Sequence, residues 1–183
     1  ALAVLVDLSS SSAFFTFISQ KKRGIYFYFY YILWMLIQLF ILIGVVRLMP
    51  ATLMEKIWLG HSRDLILFAL IATFSINTIW RFVARIGESI RDTVNVQINS
   101  IILTLVYLIC TILLIKFHLI NIKALFIVNV FIYIAFSIIY GFSLYKMGNI
   151  CSQNNEKFEN VIIEYKSYCL PLIIASLVGF FYS

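Results

Sequence analysis

The sequence predicts an all-α integral membrane protein, a polytopic helix bundle. Three observations carry that prediction. Of 183 residues, 63% are hydrophobic and only 12% charged, where a soluble domain has roughly a quarter charged. The apolar residues fall into six runs, most of them close to the ~20 residues that a helix needs to cross a bilayer. None of the runs shows the short alternating segments of a transmembrane barrel. With no water to satisfy the backbone, β-branched runs of this length fold as helices.

The runs cover residues 1–18, 25–49, 65–86, 96–115, 124–145, and from 162 to the end. The first and last stop without polar flanks, so the chain reads as a fragment of a longer protein. Between the runs lie loops at 20–24, 50–64, 87–95, 116–123 and 146–161. The second holds ATLMEKIWLG, an amphipathic stretch suited to lying in the interface. The net charge of +6 comes mainly from these loops. Aromatics next to KKR fit an interfacial belt leading into a helix, not a nucleic-acid stripe, so no nucleic-acid partner is expected. The first, third and fifth loops and the helix ends nearest them carry nine Lys and Arg, the other two five. Arg81 and Arg85, within a run, are two of the nine; without them the count is seven to five. The positive-inside rule places the richer loops in the cytoplasm.

Inside the third run, Thr73, Asn77, Arg81 and Arg85 recur every four residues, which aligns them along one helical face. An arginine in a bilayer turns toward protein, water or headgroups. With the run ending near Ile86, Arg81 lies roughly 7 Å of helical rise from the interface and is within snorkelling reach. Arg85 is closer, and Glu88 is available as an i+3 partner. Asn77 and Thr73 carry the face further inward, where it would either line a hydrated cavity or bond a neighbouring helix. A cationic cavity would attract phosphate or pyrophosphate, which the arginine fork binds well. Asp7 is the only carboxylate of the first run, placed either near the outer headgroups or as a counter-ion. Gln38, midway along the second run, is expected to hydrogen-bond between helices, and Pro171 to kink or break the last helix.

Catalysis has little to rest on. His61 and His118 fall in loops, no glycine-rich phosphate loop occurs, and no cofactor or metal pattern is present. Cys110, Cys151 and Cys169 form no CxxC pair. The chain is therefore not expected to be an enzyme.

Three segments carry a family resemblance. VDLSSSSAFFTFISQKKRG resembles the second helix of the polysaccharide flippases in the MATE-like exporter superfamily. IATFSINTIWRFVARIGESIRDTVNVQI resembles their fourth helix and the loop after it, and EYKSYCLPLIIASLVGF the start of their seventh. The resemblance implies that residues 1–160 form most of one six-helix lobe and that 161–183 begin the second. It further implies alternating access that carries a polyprenyl-pyrophosphate-linked oligosaccharide across the cytoplasmic membrane for surface polysaccharide or lipopolysaccharide assembly. The implied partners are membrane lipid, that substrate, and other polysaccharide-assembly membrane proteins. Arg81, Arg85, Asn77, Thr73 and Asp7 are the residues placed toward the cavity. Two alternatives remain open: a cation-coupled multidrug exporter of the same fold, which would want cavity carboxylates, and a non-transporting membrane assembly subunit.

Overall fold

The computed structural model describes residues 10–20, 23–58, 60–146 and 158–182, and all of their regular structure is helical. The described residues form seven helices, in chain order α1 (Ser10–Gln20), α2 (Ile25–Leu48), α3 (Ala51–Trp58), α4 (Arg63–Ser89), α5 (Thr93–Lys116), α6 (Ile122–Lys146) and α7 (Phe158–Tyr182). By length and hydropathy α2, α4, α5 and α6 can each cross a membrane. Twenty-four residues of α2 rise about 36 Å, more than the ~30 Å hydrocarbon layer. Apolar side chains lie exposed around these helices, Phe29, Phe40, Ile101 and Phe131 among them. A helix that is apolar all round is solvated by lipid rather than water. The chain is a membrane protein.

Turn chemistry sets where the helices stop. Ser62 caps α4 by accepting from the Leu65 N–H at 3.4 Å. At its other end Asp92 N–H bonds to Gly87 C=O (2.9 Å) and Arg91 N–H to Glu88 C=O (3.0 Å). This paired closure puts Arg91 at φ 66°, in the left-handed conformation that such caps require. The α5–α6 turn repeats it, with His118 at φ 53°. The short α3 buries only Met54, against Val46 and Ile66, and leaves Leu53 and Ile57 exposed, as the amphipathic reading expects.

α4 is the hub. It packs against α1, α2, α5 and α6, while α7 packs on α1 and α2. The core at the end carrying Arg23 is aromatic. Phe14 of α1 stacks on Tyr31 of α2 at 4.0 Å and lies 5.1 Å from Phe82 of α4. Phe17 meets Phe27 at 5.1 Å and Tyr165 of α7 at 5.3 Å.

α4 and α7 depart from expectation in ways that bear on the site. α4 continues to Ser89, because the Schellman closure carries the helix beyond the apolar run. Arg81 therefore lies eight residues from the helix end, about 12 Å of rise rather than 7 Å. α7 is continuous through Pro171, so the proline does not break it.

Candidate functional site

An ideal α-helix overshoots a full turn by about 40° at every i+4 step, so Thr73 to Arg85 would drift about 120° and leave one face. The helix corrects this. Ser75–Trp80 is wound as a π-helix, and a single π-turn takes up one extra residue, about 100° of rotation. The residual drift is about 20°, and the four side chains form one stripe. Thr73, Asn77 and Arg81 are exposed and Arg85 is half-buried.

The surroundings of Arg81 show which way this stripe looks. On one side of it, Phe82 contacts Phe14 of α1 and Tyr31 of α2. On the other, Trp80 lies 6.1 Å from the Tyr140 ring of α6. Gly87 backs so closely on Tyr140 and Val96 that a Cβ there would sit 2.6 Å from each. Arg81 stands between these contacts, and neither it nor Asn77 hydrogen-bonds to a described residue.

Arg85 donates from Nη1 to the backbone carbonyl of Ser11 in α1. Arg85 follows Phe82 by three residues and Ser11 precedes Phe14 by three, so the guanidinium reaches away from the basic end, toward the membrane centre. This follows from helix geometry: Cα–Cβ bonds tilt toward the helix N-terminus, and the N-terminus of α4 is at the far side. Snorkelling to the near headgroups runs against that tilt. The expected Arg85–Glu88 ion pair does not form among the described residues, because the same tilt turns Arg85 from a partner one turn C-terminal to it.

Thr73 donates to Ala69 C=O at 2.8 Å and lines a pocket of about 610 Å³ with Leu42, Trp58, Leu65, Leu70 and Phe126. The stripe thus joins an apolar pocket at one end to two guanidinium groups at the other. Asp7 lies outside the described residues. Deleting Ile76 would return the π-turn to α winding and swing Thr73 about 100° from Arg81. Cysteines placed at 73 and 81 should then no longer share reactivity toward an impermeant thiol reagent; equal labelling before and after the deletion would contradict the π-turn account.

Sequence reasoning missed a second cluster. Arg23 was one basic residue in a loop, yet its side chain is fully buried. It grips Glu164 of α7 with both forks, Nη1 to Oε2 at 3.0 Å and Nη2 to Oε1 at 3.4 Å, and lies 3.6 Å over the Phe17 ring. Ser10, also buried, gathers α2 and α7 onto α1. Its Oγ accepts from Trp34 Nε1 and Gln38 Nε2, each at 3.3 Å, and its carbonyl from Tyr165 Oη at 3.0 Å. Gln38 is the interhelical partner expected. No sequence signal joins positions 141 apart; the one available hint was an acid, Glu164, within the first turn of the last apolar run.

No group of three His, Cys, Asp or Glu side chains among the described residues is placed to hold a metal. No family model, no curated protein and no solved structure matches the chain.

Proposed function

We propose that this chain is one lobe, or most of it, of a MATE-like membrane transporter that flips a polyprenyl-pyrophosphate-linked oligosaccharide across the cytoplasmic membrane. The observation that supports this reading most is the α4 stripe ending in Arg81 and Arg85. Such a substrate is an amphiphile with a dianionic joint, and the stripe pairs guanidinium donors with a nearby apolar pocket. Arg85 gives one N–H to the Ser11 carbonyl, which fixes the fork and leaves further donors of its five for an anion. Arg81, with no hydrogen bond to a described residue, supplies a second fork. Pyrophosphate oxygens accept from both forks in a bidentate geometry that lysine does not reproduce. No carboxylate lies on the described part of the stripe, which disfavours the cation-coupled drug exporter. Residues 161–183 then begin the second lobe, and the protein carries out transport without chemistry on its substrate.

The test is made in cells bearing the intact protein. Arg81→Ala combined with Arg85→Ala should lower surface polysaccharide at least tenfold at an unchanged protein level, with Arg→Lys at both sites recovering only part of it. Export that stays within twofold of wild type at equal protein level would overturn the assignment.

A further inference from the structure

α5 carries a second polar line. Gln97, Ser100, Thr104, Tyr107 and Thr111 follow one another by three or four residues, and so run along one side of the helix. Gln97 and Thr104 are exposed; Ser100, Tyr107 and Thr111 are half-buried.

The packing tells which way this line looks. Viewed from the start of α4, its residues wind clockwise by about 100° each. Phe82 faces α1 and α2. Val83, a step further round, faces Gly141 of α6, and Gly87 backs onto Val96 of α5. The arc between α2 and α6 is lined without any residue of α5. α5 therefore lies beyond α6, next to the arginine stripe. α5 runs antiparallel to α4, so its own residues wind counter-clockwise. Ser100 and Thr104 stand about 40° and 80° round from buried Val96, on the side turned from α6 toward the stripe. With Val96 level with Gly87, Ser100 comes level with Val83 and Thr104 with Ile79, on either side of the level of Arg81.

α1 closes the other flank, where Ser11 accepts from Arg85. The exposed residues of α1 are Ser12, Thr16, Ser19 and Gln20, none of them apolar. Exposed residues of α2 from Phe29 to Val45, and of α6 from Ile127 to Phe142, are all apolar. The bundle thus turns hydroxyls and guanidinium groups to one side and hydrocarbon to the other.

The hydroxyls flanking the arginines are acceptors. Ser100, Thr104 and Thr111 donate to the carbonyls of Val96, Ser100 and Tyr107 at 2.9, 2.9 and 2.8 Å. Thr16 donates to Ser12 C=O at 3.1 Å and Ser19 to Thr16 C=O at 2.9 Å. Each has spent its one proton on its own helix and offers outward only lone pairs. Phosphate oxygens are themselves acceptors, an acyl chain has no donor, and Arg81 and Arg85 repel a cation. A partner helix keeps its backbone N–H groups in its own ladder. A polyol brings many O–H donors.

We infer that α5 and α1 form a carbohydrate subsite beside the arginines, in which sugar hydroxyls donate to Ser100, Thr104 and Thr111 on one flank and to Thr16 and Ser19 on the other. The subsite rests on the pyrophosphate reading of Arg81 and Arg85 and recognises the group attached to that joint.

The test compares two lipids on the intact protein in detergent: polyprenyl pyrophosphate bearing its oligosaccharide, extracted from the cells that make the protein, and sugar-free polyprenyl pyrophosphate. Wild type should bind the glycosylated lipid at least tenfold more tightly. Ser100→Ala with Thr104→Val and Thr111→Val removes three acceptors. It should bring the preference below threefold and leave sugar-free binding unchanged. Equal binding of both lipids by wild type, or a tenfold preference kept by the triple variant, would overturn the subsite and leave the arginine reading standing. Binding of neither lipid by wild type would overturn both. A Thr104→Cys variant, in protein without native cysteines, that resists an impermeant thiol reagent in sealed membranes would overturn the subsite by showing a partner helix on that face.

Discussion

Glu164→Gln should destabilise the protein by about 2–3 kcal/mol and loosen α7 from α1. Arg23 is 1% exposed, held between the face of Phe17 and the Glu164 carboxylate. Removing one partner of a buried pair costs about 3–5 kcal/mol because the other charge remains without compensation. Glu164 is 48% exposed on its side chain, so water replaces part of the lost interaction and the cost falls to the bottom of that range or just below it. The sign pattern of a double-mutant cycle is more telling than the single value. Arg23→Met removes the charge and leaves an apolar chain against the Phe17 ring, so it should cost less than Glu164→Gln. Adding Glu164→Gln to Arg23→Met should then cost under about 0.5 kcal/mol, giving a coupling of at least 1.5 kcal/mol. The readout is unfolding in detergent micelles. Glu164→Gln indistinguishable from wild type would mean that the fork contributes nothing.

Gly87→Ala should be comparably damaging, at about 2–3 kcal/mol. A Cβ at Gly87 would stand 2.6 Å from both Tyr140 Oη and Val96 Cγ2, closer than real carbon contacts allow. Overpacking of this kind costs about 1–3 kcal/mol. Here it also pushes Tyr140 off Asp92, to which its hydroxyl donates at 3.1 Å. Tyr140→Phe removes that hydroxyl and with it one of the two clashes. The pair Gly87→Ala, Tyr140→Phe should therefore be at least 1 kcal/mol more stable than the two separate losses predict. Strict additivity would show that α6 does not press on α4 at this point.

The membrane character of the chain was plain from residue order because it depends on run length and on where charges are missing, both local properties. The run from 25 to 49 needed no tertiary knowledge to be read as α2. The amphipathic piece at 50–64 was legible for the same reason. The candidate site was only half legible. Four-residue spacing named Thr73, Asn77, Arg81 and Arg85, but ideal helix geometry would have scattered them over a third of a turn. What aligns them is the π-turn over SINTIW, a segment without glycine or proline whose winding is decided by packing against α6. The direction of Arg85 likewise came from helix polarity, which a count of residues to the interface leaves out. Arg23 was hidden in a different way. Nothing in the composition of the loop marks Arg23 as a side chain that turns inward, because its partner lies 141 positions away.

The central claim is that the α4 stripe faces water. Single cysteines placed from Leu70 to Ile86, in intact protein lacking its native cysteines, would be exposed in sealed membranes to an impermeant thiol reagent. The account predicts strong labelling at 73, 77, 81 and 85, and little at 79, 82, 83 and 86, which line an apolar groove between α2 and α6. Protection of 77 and 81 in every condition, or reactivity following 79, 82 and 86 instead, would contradict it and leave α4 a packing helix whose arginines serve a protein partner.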